Sequence, residues 1–437
     1  MIATIIITLF TSFFIIASVL LFPRIKIKNI SFDSYWLIAL LGALLIVSLR
    51  LVSTNEIVDT LLANNAINPI KILVLFISMS TLSIYLDEVG FFRYIANYTI
   101  KVTKGTQISM FITFNFVIAI LTIFTSNDII ILTFTPFICY FAKNAKISPI
   151  PFLVSEFVSA NTWSMILVIG NPTNIYLATM YNITFIEYLK VMLVPGIMAG
   201  FTSFAVLYLL FRKELKKPLE KINEDIKISN KYLVIIGLIH LGLCTILLSI
   251  SSYIGFEMWL ITLLFALSLF INVFLYKLFK KDKSNVVIKT LQRTPWSLIP
   301  FVISMFIIVL SLDKYNVTSL IANILGDNYV TLKYGLSSFL SANLVNNIPM
   351  SVIFSSILKD LNGTNLYLGV YATIIGSNIG AYLTPIGALA GIMWMNILKK
   401  EKVDFGFFSF IKKHLLVSII TLLVSLLFLY MMINFIY

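Results

Sequence analysis

The stretch Thr125-Ser126-Asn127-Asp128, followed by Gly170-Asn171-Pro172-Thr173-Asn174, has a counterpart far down the chain. The counterpart reads Val345-Asn346-Asn347-Ile348-Pro349, followed by Leu383-Thr384-Pro385-Ile386-Gly387. Each pairs a small polar tip inside apolar sequence with a later Gly/Pro break inside an apolar helix. Asn127 to Asn346 and Pro172 to Pro385 are offset by nearly the same amount, so the repeat covers most of each half. Matched interruptions in two halves of a hydrophobic chain are the sequence mark of a transporter binding site.

Composition requires a membrane. Hydrophobic residues make up 59% of the chain and charged residues 12%, with a mean hydropathy of +0.98, far from a soluble profile. Apolar runs such as Ile2–Phe22, Tyr35–Ser53 and His414–Phe435 are long enough to span. The first run lacks a basic leader and a small-residue cleavage site, so it reads as a retained helix. A net charge of +13 would suggest nucleic acid in a soluble chain; here the basic residues sit in loops and set orientation.

Placing those loops inside gives a closed path. Arg24, Lys26 and Lys28, then Arg93, Lys101 and Lys104, lie on the cytoplasmic side. So do the loop from Arg212 to Lys231, the loop from Lys277 to Arg293, and Lys399-Lys400-Glu401-Lys402. The Asn55–Pro69 region, with Glu56 and Asp59, lies outside, flanked by the exceptions Arg50 and Lys71. Both termini are expected outside the cell membrane. The path closes only if Phe111–Phe124 with Ile129–Phe141, and Tyr334–Leu344 with Met350–Leu358, turn back as re-entrant hairpins.

The expected fold is all-α and polytopic: ten transmembrane helices plus two re-entrant hairpins, in two inverted repeats with broken helices. Residues 1–212 form the first repeat, with the cytoplasm-facing hairpin at 111–141. Residues 213–231 form a cytoplasmic linker. Residues 232–437 form the second repeat, with the outside-facing hairpin at 334–358.

Asp128 is the leading candidate for chemistry. A carboxylate deep in apolar sequence costs about 2.5 kcal/mol or more on insertion scales and marks a functional site by default. Thr125, Ser126 and Asn127 add hydroxyls and an amide to bind a cation or polar solute. Capping the second hairpin helix is the plainer role open to Asp128. At the other tip Asn347 suits an N-cap and Pro349 a first helical turn. Asn346 and Asn347 are added as binding candidates, with Ser341, Asn343 and Ser351 as further lining.

The helix Val154–Ile169 ends in Gly170, Asn171, Pro172, Thr173 and Asn174, and Tyr371–Gly380 runs into Thr384, Pro385 and Gly387. Proline removes a donor and frees backbone groups, while half-helix ends carry opposite partial charges. Such a break binds a solute and an ion together; an ordinary proline kink is the alternative. Asn161 and Asn378 precede the breaks and are expected to pair with each other. Glu156 either relays a proton or snorkels to the interface. Asp87-Glu88 and Asp313 close corresponding helices, as surface or gating residues. Gly376/Gly380 and Gly387/Gly391 have helix-packing spacing. His240 reads as a hydrogen-bonded core residue, and Cys139 and Cys244 as buried small hydrophobes. No metal ligand set, nucleotide motif or enzymatic signature is legible, so no cofactor or enzyme activity is expected.

Four segments resemble the arsenite permease family, the membrane subunit of arsenical pumps, within the ion-transporter superfamily. They are Tyr85-Leu86-Asp87-Glu88-Val89-Gly90-Phe91-Phe92; Ser126-Asn127-Asp128 with Thr135-Pro136; Asn346-Asn347-Ile348-Pro349; and Gly376-Ser377-Asn378-Ile379-Gly380 through Thr384-Pro385-Ile386-Gly387. The resemblance implies efflux of arsenite and antimonite in exchange for protons. It also raises two partners, a peripheral ATPase on the basic loops and a second copy of the chain. Arsenite permeases usually carry acids where this chain has Asn161 and Asn378, and a Ser-Asn-Leu pattern in the first break. Asp128 and Glu156 are left to hold a proton or a sodium ion. Arsenite is an uncharged triol near neutral pH and suits a lining of Asn127, Asn347, Asn161 and Asn378. A sodium- or proton-coupled carrier of small carboxylates or inorganic anions, and a sodium/proton antiporter, are the alternatives.

Overall fold

A computed structural model describes residues 1–22, 24–27, 30–62, 68–102, 106–216, 230–280 and 284–436. The orientation calls on Lys28 and Lys104, and most of the 213–231 linker, fall outside the described residues. Apart from an antiparallel ribbon, β1 (Arg24–Ile27) against β2 (Ile30–Asp33), the regular structure is helical.

Ten helices precede residues 217–229. They are α1 (Ile2–Leu21), α2 (Tyr35–Ser48), α3 (Thr54–Leu62), α4 (Pro69–Glu88), α5 (Phe91–Val102), α6 (Gln107–Phe124), α7 (Asn127–Asn144), α8 (Ile150–Trp163), α9 (Pro172–Met180) and α10 (Phe185–Phe211). Ten follow among the described residues. They are α11 (Lys231–Ile254), α12 (Met258–Lys280), α13 (Val286–Arg293), α14 (Leu298–Lys314), α15 (Val317–Leu325), α16 (Val330–Val345), α17 (Asn347–Ile357), α18 (Gly363–Gly380), α19 (Leu389–Lys400) and α20 (Phe407–Ile436). Helices ten places apart in this order can be compared one with another. Among the described residues, seven helical spans are long and apolar enough to cross a bilayer.

Local chemistry sets the boundaries. Asn68 accepts from the amides of Ile70 and Lys71, with Pro69 opening α4. Thr184 and Glu187 form a capping box at the start of α10. Helix surfaces such as those carrying Ile239, Leu243, Leu267, Ile271 and Leu423 expose large apolar side chains, as lipid-facing surfaces do.

Packing follows an exchange rule. Helix α6 packs on α8 and α16 on α18; α2 packs on α14 and α12 on α4; α7 packs on α19 and α17 on α9; α10 packs on α20. Replacing every helix by its counterpart carries each of these pairings into another, or into itself. The α16–α18 approach is close because Gly376 and Gly380 present bare Cα atoms to it. A Cβ on Gly380 would stand 2.7 Å from the carbonyl oxygen of Phe339. Gly387 presses on the end of α18 at the Gly380 carbonyl and on Asn343 of α16, whereas Gly391 faces the backbone of Pro385 in the loop between α18 and α19.

Two boundaries differ from the sequence reading. Helix α8 stops at Trp163, well before Ile169, and only a 3₁₀ turn (Val168–Gly170) intervenes before α9. Past Trp163 the amides of Met165 and Ile166 bond to the Thr162 and Trp163 carbonyls, the Ser164 hydroxyl takes the Asn161 carbonyl, and farther on the Asn174 side-chain amide donates to the carbonyls of Ser164 and Leu167. At the second tip Asn346, not Asn347, is the N-cap: its Oδ1 accepts from the amide of Ile348 at 3.5 Å, with φ at 72°. Pro349 lies in the first turn, as expected.

Candidate functional site

The two hairpins, α6–α7 and α16–α17, bring their tips to the broken helices. In the first half the connection runs through side chains. Asn127 Nδ2 donates to Asn161 Oδ1 at 3.0 Å, and Asn161 Nδ2 donates to the Phe157 carbonyl at 2.8 Å. Asn127 Oδ1 is buried and has no donor. Thr125 Oγ1 is turned back onto the Leu121 carbonyl at 2.7 Å. Ser126 holds the N-cap position of α7 without a capping bond.

Asp128 is the second residue of α7, so it does not cap that helix. Successive helical residues point about 100° apart, which turns Asp128 away from the Asn127–Asn161 bond. The carboxylate is half-buried, makes no hydrogen bond to the protein, and lies within electrostatic reach of Tyr35 on α2. Its place in the first turn of α7 favours an anion there.

Asn161 and Asn378, expected to pair, do not bond to each other. Asn378 is instead the hub of the first break. Its Oδ1 accepts from Asn171 Nδ2 at 3.0 Å, and its Nδ2 donates to Asn174 Oδ1 at 2.7 Å and to the Ile374 carbonyl at 2.8 Å. Ser164 Oγ lies 2.9 Å from the Asn161 carbonyl and 3.1 Å from Asn378 Oδ1, bridging the two asparagines. Asn171 Oδ1 caps α9 by accepting from the Thr173 amide and hydroxyl, both at 3.1 Å. Pro172 opens that helix, and Gly170 presses its Cα onto the Ser164 carbonyl, where a Cβ has no room.

The second half is wired through backbone. Asn343 Nδ2 donates to the Gly380 carbonyl at 3.0 Å, and its Oδ1 accepts from the Thr384 amide at 3.0 Å and hydroxyl at 2.7 Å. Asn346 Nδ2 donates to the Ile386 carbonyl at 3.0 Å, and the Asn347 amide donates to the Gly387 carbonyl at 3.0 Å. Pro385 stays within the irregular segment; α19 begins only at Leu389. Ser351 Oγ is engaged with the Ile348 carbonyl at 2.7 Å. The side-chain amide of Asn347 carries no hydrogen bond to the protein, so it, Asn127 Oδ1 and the Asp128 carboxylate are the groups at the two tips with capacity left for a ligand.

Glu156 does not snorkel. It is fully buried, with Thr135 Oγ1 at 2.9 and 3.1 Å from its two oxygens. The same hydroxyl lies 2.6 Å from the Ile131 carbonyl. Trp394 Nε1 is a neighbour that does not complete a hydrogen bond, and α20 adds the buried His414 against Trp394 and Phe410. Neither His414 nor Ser164 stood out in the sequence; single polar residues in apolar helices carry no spacing signal. His240 is a bonded core residue, between the Ile236 carbonyl at 2.7 Å and Ser268 at 3.2 Å. Cys139 and Cys244 are buried as separate thiols.

Charged groups collect at helix ends. Arg293 of α13 reaches Asp87 at 2.7 Å and Glu88 at 2.5 Å. Lys314 of α14 reaches Glu56 of α3 at 2.9 Å. The backbone amide of Ser53, then Lys314 and the Ser53 hydroxyl, hold the Glu56 carboxyl down at about 2.

The citrate transporter family model matches residues 34–366. A putative arsenical pump membrane protein of Bacillus subtilis is 25% identical, over 82% of this chain and 86% of its own. The arsenical pump membrane protein of Escherichia coli is 26% identical, over 80% and 84%. In fold, the chain is similar to the YdaH transporter of Alcanivorax borkumensis, a crystal structure with an unusual topology. That similarity covers 99% of this chain and 98% of the other, with a TM-score of 0.60 at 14% identity.

Proposed function

As the chain belongs to the citrate transporter family and is an integral membrane transporter of arsenite-permease type, we propose that it is an ion-coupled carrier working by alternating access. The primary reading is proton-coupled efflux of arsenite or antimonite. The observation that carries it is the asparagine core: Asn127, Asn161, Asn171, Asn174 and Asn378 form a neutral network of donors and acceptors at the breaks. Such a lining suits an uncharged triol, whereas a di- or trianion would call for a cationic side chain. The helical pairings that exchange between halves support two inverted repeats, with ten crossings, two re-entrant hairpins and both termini outside the cell membrane.

Proton coupling draws on Glu156. Thr135 has one hydroxyl hydrogen and three oxygens in range, the Ile131 carbonyl and both carboxylate oxygens. With Thr135 donating to Ile131, a proton on Glu156 completes the set. Asp128, without a protein partner, is the second proton or sodium carrier. The second reading is a sodium- or proton-coupled carrier of small carboxylates. It is favoured by the helix N-terminus at Pro172, whose end attracts an anion.

The test is arsenite flux into inverted vesicles bearing the purified protein, with proton and sodium gradients imposed separately. Proton-driven uptake supports the first reading. Absence of arsenite flux with sodium-dependent movement of a carboxylate transfers the same architecture to the second.

A further inference from the structure

Asp313 ends α14 and Asp87 ends α4, so the two carboxylates hold counterpart places. Their surroundings differ. Asp313 has both oxygens engaged: Oδ1 accepts from Thr318 Oγ1 at 2.5 Å, and Oδ2 accepts from Ser356 Oγ at 2.7 Å and Lys359 Nζ at 2.9 Å. Thr318 belongs to α15, but Ser356 and Lys359 belong to the base of the second hairpin. Three donors therefore tie that hairpin and α15 to the end of α14.

Asp87 has only half of this. Its Oδ2 takes Arg293 at 2.7 Å, and its Oδ1 is buried with no donor. The neighbouring elements are in place. Helix α7 packs on α4 and α5 as α17 packs on α14 and α15. What the first half lacks is a donor from the base of its hairpin. A buried carboxylate oxygen without a donor is unfavourable, and helix α7 carries a candidate in Lys143, in its last turn.

The seam beside Asp313 is also loosely filled. A cavity of about 60 Å³ lies there, lined by residues of α3, α9, α14 and the second hairpin, among them Thr60, Tyr176, Phe306, Asp313, Ser356 and Lys359.

We infer that Asp313 and Asp87 are reciprocal positioning residues, each holding the base of its own hairpin against its support helix in one of two states. In the state described here the second hairpin is held and the first is not. Passage to the other state breaks the Asp313 contacts with Ser356 and Lys359 and supplies Asp87 Oδ1 with its missing donor. This inference rests on the alternating-access reading above.

Cross-linking in proteoliposomes tests it without requiring transport. Cysteines placed at Val309 of α14 and Val352 of α17, which both line the cavity, report closure of the second seam in a full-length background with Cys139 and Cys244 replaced by alanine. Lys359→Gln and Asp313→Asn should each slow cross-linking by about threefold or more. Asp87→Asn should accelerate it by a similar factor, since it weakens the opposing state. Exchange of the pair, Asp313→Lys with Lys359→Asp, should recover part of the lost rate, since it restores the ion pair but not the acceptors for Thr318 and Ser356. Lys359 is half-exposed, so its variant stays informative if Asp313→Asn fails to fold. Identical cross-linking in Lys359→Gln and the parent overturns the inference, as does a shift in the same direction for Asp87→Asn. Shifted cross-linking with no solute flux would instead retain the reciprocal contacts and remove the carrier reading.

Discussion

The two hairpin tips are built from similar residues and use them differently. At the second tip, Asn343 and Asn346 and the backbone of Asn347 clip the hairpin to the carbonyls and amides of the Gly380–Gly387 segment. Tip and break there are one mechanical unit. At the first tip a single side-chain bond, Asn127 to Asn161, joins hairpin to broken helix. Asn127 Oδ1 and the Asp128 carboxylate remain without protein donors. Repeated sequence has thus been put to two uses: the second half spends the side chains of Asn343 and Asn346 on shape and keeps only the Asn347 side chain uncommitted, while the first keeps an acceptor and a carboxylate for a ligand.

The largest effect that could break this comparison is on stability. Asn343→Ala strands the Thr384 amide and hydroxyl, at about 1–3 kcal/mol for each group left buried and unmet, while the Gly380 carbonyl keeps the Leu383 amide. Denaturation in detergent should show a fall of several degrees in Tm; an unchanged Tm would return the second tip to the role of a binding surface. Asp128→Asn comes next. It should leave unfolding unaltered while reducing gradient-driven flux by about tenfold or more, equivalent to about 1.4 kcal/mol.

Asn161→Asp sharpens the contrast. An aspartate keeps the acceptor for Asn127 Nδ2 and gives up the bond to Phe157, so the variant should fold. It also adds the acid that arsenite permeases usually carry there. Its flux should acquire an additional dependence on pH between parent and variant, read in vesicles over a pH series. The smallest effect belongs to Glu56, at the periphery. Its carboxyl is held down at about 2 in the folded protein, against an ordinary value of 4.5. A lowered folded value means that the Glu56–Lys314 contribution is complete above about 4.5 and is lost as pH falls toward 2. Glu56→Gln should therefore change Tm slightly at pH 7 and not at all near pH 2.

Much of the architecture was legible. Hydrophobic runs separated by polar tips located α6, α7, α16 and α17 to within a few residues, because a hairpin tip must carry its polar backbone on small polar side chains. The breaks were legible through Pro172 and Pro385 for the same reason. What failed was anything set by side-chain reach across the fold. Ser164 takes the Asn161 carbonyl at the end of α8, and Asn174 reaches back to two carbonyls beyond it, acts that no local propensity records. Asn161 and Asn378 look like partners in sequence, yet Ser164 lies between them and their amides turn elsewhere. Asp128 follows Asn127 in the chain, but helical rotation sends it to a different face. Glu156 had two readings, and only burial against Thr135 decided between them.

The division of labour is tested most directly by measuring Tm and gradient-driven arsenite flux together on Asp128→Asn and Asn343→Ala. The expected result is a crossing: Asp128→Asn unfolds like the parent and carries about a tenth of the parent flux or less, while Asn343→Ala unfolds earlier and transports in its folded fraction. Transport by Asp128→Asn at the parent rate, with Asn343→Ala stable and inactive, would contradict it and assign the ligand to the second tip.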